Sequence, residues 1–77
     1  MAENQDMEEA KKLFEQAVTL KPDYAYAYYA LALAYEKEKN FEKALQNYES
    51  FLQYTNDKNM KTNIQYKINY LKSRVFE

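Results

Sequence analysis

Apolar residues recur every three or four positions along most of the chain, which is the period of one face of an α-helix. In the first segment they are Met7, Ala10, Leu13, Phe14, Ala17, Val18 and Leu20. Asp6 is predicted to cap this helix, since Asp is a preferred capping residue and Glu9 follows three positions later. The helix is predicted to end at Lys21, because Pro22 disfavours the helical conformation in the residue before it.

Residues 24–38 form a second apolar segment, for which the pattern allows two interpretations. Tyr and Ala alternate over residues 24–28, as in a strand. However, Ala and Leu favour helices, and a run of about 15 residues is long for a strand. We therefore predict a helix that is capped by Asp23 and is apolar on every side. Such a helix should lie between two neighbouring helices rather than on a surface.

Two further helices are predicted after short polar breaks. Asn40 should cap a helix over residues 41–54, and a last helix over 58–76 follows the break at residues 55–57. The apolar residues of the last helix lie on one stripe, namely Met60, Ile64, Ile68, Leu71 and Val75. Burial on one side suits a terminal helix. The whole pattern predicts an all-α fold of four helices, at about 6–21, 24–38, 41–54 and 58–76.

The chain matches itself at an offset of 34 residues, so that the first and third helices come into register. Residues 6–10 fall on residues 40–44, and Phe14 falls on Tyr48. The second and third helices also carry a spaced set of aromatic, leucine and small residues: Tyr28, Leu31, Ala32, Tyr35, Ala44 and Tyr48. With this period and these paired helices, the chain resembles the tetratricopeptide repeat family.

This resemblance implies a single domain, 1–77, built from antiparallel helical hairpins. Residues 6–23 correspond to the second half of a repeat, 24–57 to a full repeat, and 58–77 to a capping helix that ends the array.

The chain departs from the family pattern at several positions. Ala32 and Lys39 stand where the family has glycine, which leaves the turn after the second helix to Asn40. In the last helix, polar residues replace the spaced core positions, and these are Thr62, Gln65 and Asn69. The last helix is therefore expected to be a cap rather than the start of another repeat.

Composition narrows the chemistry that the chain can perform. It contains no His, Cys or Gly, which removes the usual general base, thiolate and zinc ligands, and glycine-rich phosphate loops. A calcium loop starting at Asp57 fails, because Thr62 and Ile68 replace its glycine and its bidentate Glu. Carboxylates alternate with lysines, as at Glu8 and Lys12, in the manner of solvent-exposed helix faces. We therefore predict a non-enzymatic protein with no cofactor and no metal site.

For a repeat of this family, the resemblance implies a concave face lined by the first helix of each hairpin. Here that face carries Tyr26, Tyr29, Leu33, Glu36 and Lys37, and the last helix adds Asn63 and Lys67. An apolar patch rimmed by charge favours contact with a peptide, a helix or a second copy of the chain. Family members that bind chaperone tails hold a terminal carboxylate with Lys and Asn, whereas Tyr29, Ala30 and Leu33 occupy those positions here. Such a ligand is therefore disfavoured.

Charge and the unpaired first helix add two further expectations. Residues 56–77 carry five basic and two acidic residues in a chain of net charge −1. Weak nucleic-acid binding through the last helix is therefore an alternative function, although most nucleic-acid sites are far more basic.

The first helix lacks its hairpin partner, so Leu13, Phe14 and Ala17 should pack on another chain. We expect a homodimer or higher oligomer, unless the chain is a fragment of a longer repeat array.

The sequence shows neither a secretion signal nor a membrane span. Residues 1–6 are polar and acidic, and the longest apolar run covers residues 24–35, whereas a bilayer needs about 20 residues. A soluble, cytoplasmic protein is the expected default.

Overall fold

The computed structural model describes residues 2–75, with side chains from residue 6 onward, and contains four α-helices. They are α1 (Ala2–Leu20), α2 (Ala25–Lys37), α3 (Phe41–Tyr54) and α4 (Lys58–Val75). Each helix packs against the next one in the chain, so α1 and α4 lie at the two ends of the stack. The predicted all-α fold is confirmed over the described residues. Residue 76, predicted as the end of the last helix, lies outside them.

The central hairpin of α2 and α3 is packed through small residues. Ala32 and Ala44 have no exposed surface, as predicted for positions where two helices approach closely. Tyr48 is also fully buried beside them. At the other end of the hairpin, Tyr28 stacks on Tyr54 with ring centres 5.7 Å apart. Small and aromatic side chains therefore alternate to fill the space between these two helices.

The buried core belongs to α2, α3 and α4. Its members are Leu31, Ala32, Tyr35, Ala44, Tyr48, Phe51, Ile64, Ile68 and Leu71. From α1, Phe14 and Val18 pack against this core but remain partly exposed. The stripe predicted on the last helix is confirmed, since its three central residues are buried and Met60 and Val75 are half-buried. Consequently α4 closes the core, whereas α1 lies along its edge.

The turn between α2 and α3 differs from the prediction, because Lys39 rather than Asn40 takes the unusual backbone conformation. Lys39 has a φ of 62°, in the left-handed region that favours glycine. The N–H groups of these two residues donate to carbonyls in the last turn of α2, both at 2.9 Å, which forms a Schellman motif. Asn40 does cap α3 as predicted, since its side chain accepts a hydrogen bond from the Lys43 N–H at 3.4 Å.

The start of α1 was predicted too late. The helix begins at Ala2 and passes through Asp6, so Asp6 is not its cap. Residues 2–5 are Ala, Glu, Asn and Gln, three of which are good helix formers, and the helix extends through them. At the other end, α1 stops at Leu20, two residues before Pro22, in agreement with the prediction.

The predicted cap of α2 is also wrong. Tyr24 precedes the helix, and no side chain caps its N-terminus. Asp23 lies one residue too early, inside a turn in which the Tyr24 N–H donates to the Lys21 carbonyl at 3.0 Å. The matching residue of the next unit, Asp57, directly precedes α4 and accepts a hydrogen bond from the Met60 N–H at 3.0 Å. Capping thus depends on where the chain turns, and not only on the residue type.

A charged cluster joins α1 to the end of α2. Lys11 Nζ lies 2.7 Å from Glu38 Oε2 and 2.9 Å from Glu8 Oε1. It also lies 5.0 Å from the centre of the Tyr35 ring. The hydrogen bond to Glu38 raises the pKa of Lys11 above its usual value. The sequence suggested Lys12 as the partner of Glu8, but Lys12 is exposed, whereas Lys11 lies on the side of α1 that faces α2.

Candidate functional site

One face of the stack carries two shallow depressions, which we call the groove. The first is lined mainly by Tyr26, Tyr29, Phe51, Thr55, Asp57 and Met60, and the second by Leu33, Glu36, Lys37 and Lys67. Their volumes, about 280 and 260 Å³, fall below the 300–1,000 Å³ or so that is typical of small-molecule pockets. The groove therefore has the form of an open contact surface rather than an enclosed ligand site.

Aromatic side chains dominate the first depression. Tyr26 is 57% exposed and meets Phe14 of α1 edge to face, with ring centres 6.1 Å apart. Tyr29 is half-buried, because its ring lies 5.5 Å from that of Phe51 and 6.3 Å from that of Tyr48. Both tyrosines were predicted on the concave face, in an apolar patch open to a partner. In the structure only Tyr26 is largely exposed, since rings of α3 cover one side of Tyr29.

Glu36 lies at the centre of the second depression, where two donors hold its carboxylate. The Tyr48 hydroxyl donates to Oε1 at 2.7 Å, and the Lys67 ammonium group donates to Oε2 at 3.0 Å. The side chains of Glu36 and Lys67 are 23% and 38% exposed, so water reaches the ion pair only in part. Burial raises the pKa of Tyr48 well above its usual value, and the negative carboxylate of Glu36 adds to this effect.

The other predicted site residues differ in their relation to the second depression. Leu33 is 37% exposed, and Lys37 is exposed beside it. Lys37 forms no ion pair with any residue that the structure describes, whereas Lys67 is bound to Glu36. Asn63 is exposed on α4 but lines neither depression. The groove thus contains every predicted site residue except Asn63.

Five residues that line the groove were not among the site residues predicted from the sequence, and they are Ala25, Phe51, Thr55, Asp57 and Met60. Met60 was expected in the core because it begins the apolar stripe of α4, and the structure leaves it half-buried. Thr55 and Asp57 belong to the break between α3 and α4. No periodic pattern extends into a break of this kind, so the sequence carried no signal that these two residues would reach the groove.

The described residues contain no cluster of His, Cys, Asp or Glu side chains suited to holding a metal ion. Among the helices in that part of the chain, none is long and apolar enough to cross a membrane. The groove offers aromatic surface, one exposed leucine, an ion pair, and the ammonium group of Lys37, which is unpaired within the described part of the chain.

Comparisons with known proteins bear on the family of this chain. Searches of curated proteins and of solved structures returned no significant match. A family model described as Tetratricopeptide repeat matches residues 1–61. The matched region includes all of the first three helices and the start of α4. The chain therefore belongs to the tetratricopeptide repeat family, whose repeats generally serve as protein–protein interaction modules.

Proposed function

We propose that the groove binds a peptide or a helix of a protein partner, with Tyr26, Tyr29 and Leu33 as its apolar contacts. The observation that carries this proposal is the exposure of Tyr26 and Leu33 on one face, at 57% and 37%. Tyrosine offers a large contact area at low rotamer cost and a polar tip that stays hydrated or bonded. Membership of a family of interaction modules supports the same conclusion.

The charged residues of the groove set the character of the partner. Glu36 and Lys67 neutralise each other at a distance of 3.0 Å, whereas Lys37, beside Leu33, has no ion-pair partner among the described residues. A partner that places an apolar side chain against Leu33 and an acidic group near Lys37 would match this arrangement. Asn63 lies outside the two depressions and contributes only if the partner extends along α4.

A double substitution tests the groove. Tyr29 is unsuitable for it, because Tyr29 packs on Phe51 and its loss would also weaken the fold. Replacing Tyr26 and Leu33 with Ser should abolish capture of protein partners from a native lysate and leave the far-UV circular dichroism spectrum unchanged. Anchor residues contribute about 2 kcal/mol each at the centre of an interface, so losing both should lower the affinity for a purified partner by about thirtyfold to a thousandfold.

The matched control introduces two serines on α3, outside the groove and outside the two end helices. Gln46 and Gln53 are exposed and line neither depression. The Gln46→Ser/Gln53→Ser chain should capture the same partners as the unmodified chain. Equal capture by the groove variant and this control would show that the groove is not the binding site.

Self-association is the second part of the proposal. Phe14 and Ala17 are half-buried within one copy, whereas Leu13 and Leu20 are 65% and 87% exposed on the same helix. Burying these leucines against another copy would remove apolar surface from water. We expect a homodimer or higher oligomer at micromolar concentration. Sedimentation equilibrium that detects only monomer over this range would contradict the expectation.

A further inference from the structure

The outer faces of α1 and α4 form the two ends of the helical stack. Within residues 2–75, α1 packs against α2 and α4 packs against α3, and neither has a helix on its other side. Each end nevertheless exposes large apolar side chains, which are Leu13 and Leu20 on α1 and Tyr66 and Tyr70 on α4. Two different unpartnered faces can cover each other when copies of a chain associate head to tail.

The 34-residue offset makes each end helix equivalent to a different helix of the central hairpin. At the 34-residue offset α1 matches α3, the second helix of the central hairpin, and α4 matches α2, the first helix. Docking α1 of one copy on α4 of another therefore reproduces the α2–α3 pairing between two chains. Tyr66 stands at the position of Ala32 in this register, so the helix axes would lie farther apart than in the central hairpin. The contact should accordingly be weak and reversible.

The charges of the two ends are opposite. The sequence of α4 has five basic and no acidic residues, whereas residues 6–20 of α1 have four acidic and two basic residues. Some of these charges are already engaged: Lys67 is bound to Glu36, and on α1 Glu8 pairs with Lys11 while Glu15 accepts a hydrogen bond from Tyr35. Asp6, Glu9 and Lys12 then leave α1 with a net charge of −1. Pairing α1 with α1, or α4 with α4, would bring like charges together. Pairing α1 with α4 brings opposite charges together, which favours this orientation and disfavours the symmetric ones.

We propose that α1 of one copy docks antiparallel on the outer face of α4 of a second copy, so that the chains stack head to tail. Leu13 and Leu20 cover the side of α4 that carries Tyr66. The acidic first half of α1 lies beside the C-terminal half of α4, which holds Lys72 and Arg74. This inference specifies the self-association included in the proposed function, and it does not depend on the groove.

The unmodified chain should show an open-ended, salt-sensitive assembly. Because a head-to-tail contact leaves one free end on each side, the average mass in sedimentation equilibrium should rise beyond that of a dimer as concentration increases. High salt should shift the equilibrium toward monomer, since the exposed charges are then screened. The Tyr26→Ser/Leu33→Ser chain, altered only in the groove, should assemble as the unmodified chain does.

Mixing two variants distinguishes this geometry from a symmetric dimer. The α1 variant is Leu13→Ser/Leu20→Ser, and the α4 variant is Lys61→Glu/Lys72→Glu. All four residues are exposed, so both variants should keep the helical circular dichroism spectrum. Each variant alone should be monomeric. An equimolar mixture should form a discrete dimer, because one intact α1 face meets one intact α4 face and the outer ends are blocked.

Three results would overturn the inference. If the α4 variant alone assembles as the unmodified chain does, then α1 pairs with α1 and the head-to-tail geometry is wrong. If the mixture of variants stays monomeric, the two faces do not meet. If the unmodified chain is monomeric at low salt, the chains do not stack. If this monomer also binds a single-stranded oligonucleotide and the α4 variant does not bind it, then the basic face of α4 binds nucleic acid instead. Neither result bears on the groove, which the capture experiment tests separately.

Discussion

Replacing Tyr48 with Phe should destabilise the protein more than breaking the ion pair beside it. Tyr48 is fully buried, and its hydroxyl donates to Glu36 at 2.7 Å. Phe keeps the ring and removes only this hydrogen bond. The freed carboxylate oxygen then faces an apolar ring, and water reaches it only partly because Glu36 is 23% exposed. The substitution therefore isolates the contribution of one charge-assisted hydrogen bond.

The expected magnitude follows from burial. Hydrogen bonds to charged groups contribute about 1.5–3 kcal/mol, and the partial exposure of Glu36 places Tyr48→Phe near the lower end of that range. The ion pair between Glu36 and Lys67 is more exposed, so Lys67→Met should cost only about 0.2–1 kcal/mol. For a chain of this size, each 1 kcal/mol corresponds to about 4–8 °C in melting temperature. Tyr48→Phe should thus lower the melting temperature by roughly 6–15 °C.

Urea unfolding of Tyr48→Phe, Lys67→Met and the double variant measures the free-energy contribution of each donor and of their interaction. Both donors bind one carboxylate, so we expect an interaction free energy of about 0.5 kcal/mol or more between the two substitutions. Tyr66→Phe is the control, since Tyr66 is 72% exposed and its loss of a hydroxyl should change stability by less than about 0.5 kcal/mol. If Lys67→Met costs as much stability as Tyr48→Phe, or if Tyr48→Phe is as stable as the control, then the buried hydrogen bond of Tyr48 is not the stronger of the two contacts to Glu36.

Two other predictions concern alkaline pH and the turn before α3. The pKa of Tyr48 is raised in the folded state, so its stabilising effect is complete below the unfolded pKa of about 10 and is lost as pH rises above it. The free energy of unfolding, measured with urea, should therefore fall as pH rises above about 10, and it should fall less steeply for Tyr48→Phe. Parallel curves for the two chains would show that Tyr48 is not the group responsible. Lys39→Gly should stabilise the protein by about 0.5–1 kcal/mol, because relief of the left-handed conformation, about 1–2 kcal/mol, outweighs the unfolded-state entropy that Gly adds. The melting temperature of Lys39→Gly should rise. Lys12→Gly is the control, because Lys12 lies inside α1, where Gly should lower stability by about 1 kcal/mol. A loss of stability in both variants would show that Lys39 is not strained.

The later helices could be predicted from the sequence almost to the residue. The predicted range 41–54 agrees with α3, and the predicted start at Lys58 agrees with α4. Asn40 and the one-sided apolar stripe are local signals, since they act within a few residues of the helix that they mark. Asp6 and Asp23 offered the same signal and were misleading, because a capping side chain works only where the backbone actually leaves the helix.

The groove was only partly predictable. Helical periodicity sufficed to group Tyr26, Tyr29 and Leu33 on one side of α2. It could not indicate that Phe51 would cover part of Tyr29, which depends on how α3 lies against α2. It also gave no indication that Glu36 would pair with a residue 31 positions away on another helix. Family membership indicates the general class of function, but it does not identify the residues that contact a partner.

By itself, the sequence determined the number, order and approximate ends of the helices, as well as the 34-residue period that relates them. These features follow from backbone preferences and apolar spacing, which act over short distances along the chain. Only the tertiary structure decided which side chains remain exposed and which charges are paired. Glu36, Tyr48 and Lys67 come from three different helices, and their meeting depends on how the whole core positions α2, α3 and α4 against one another.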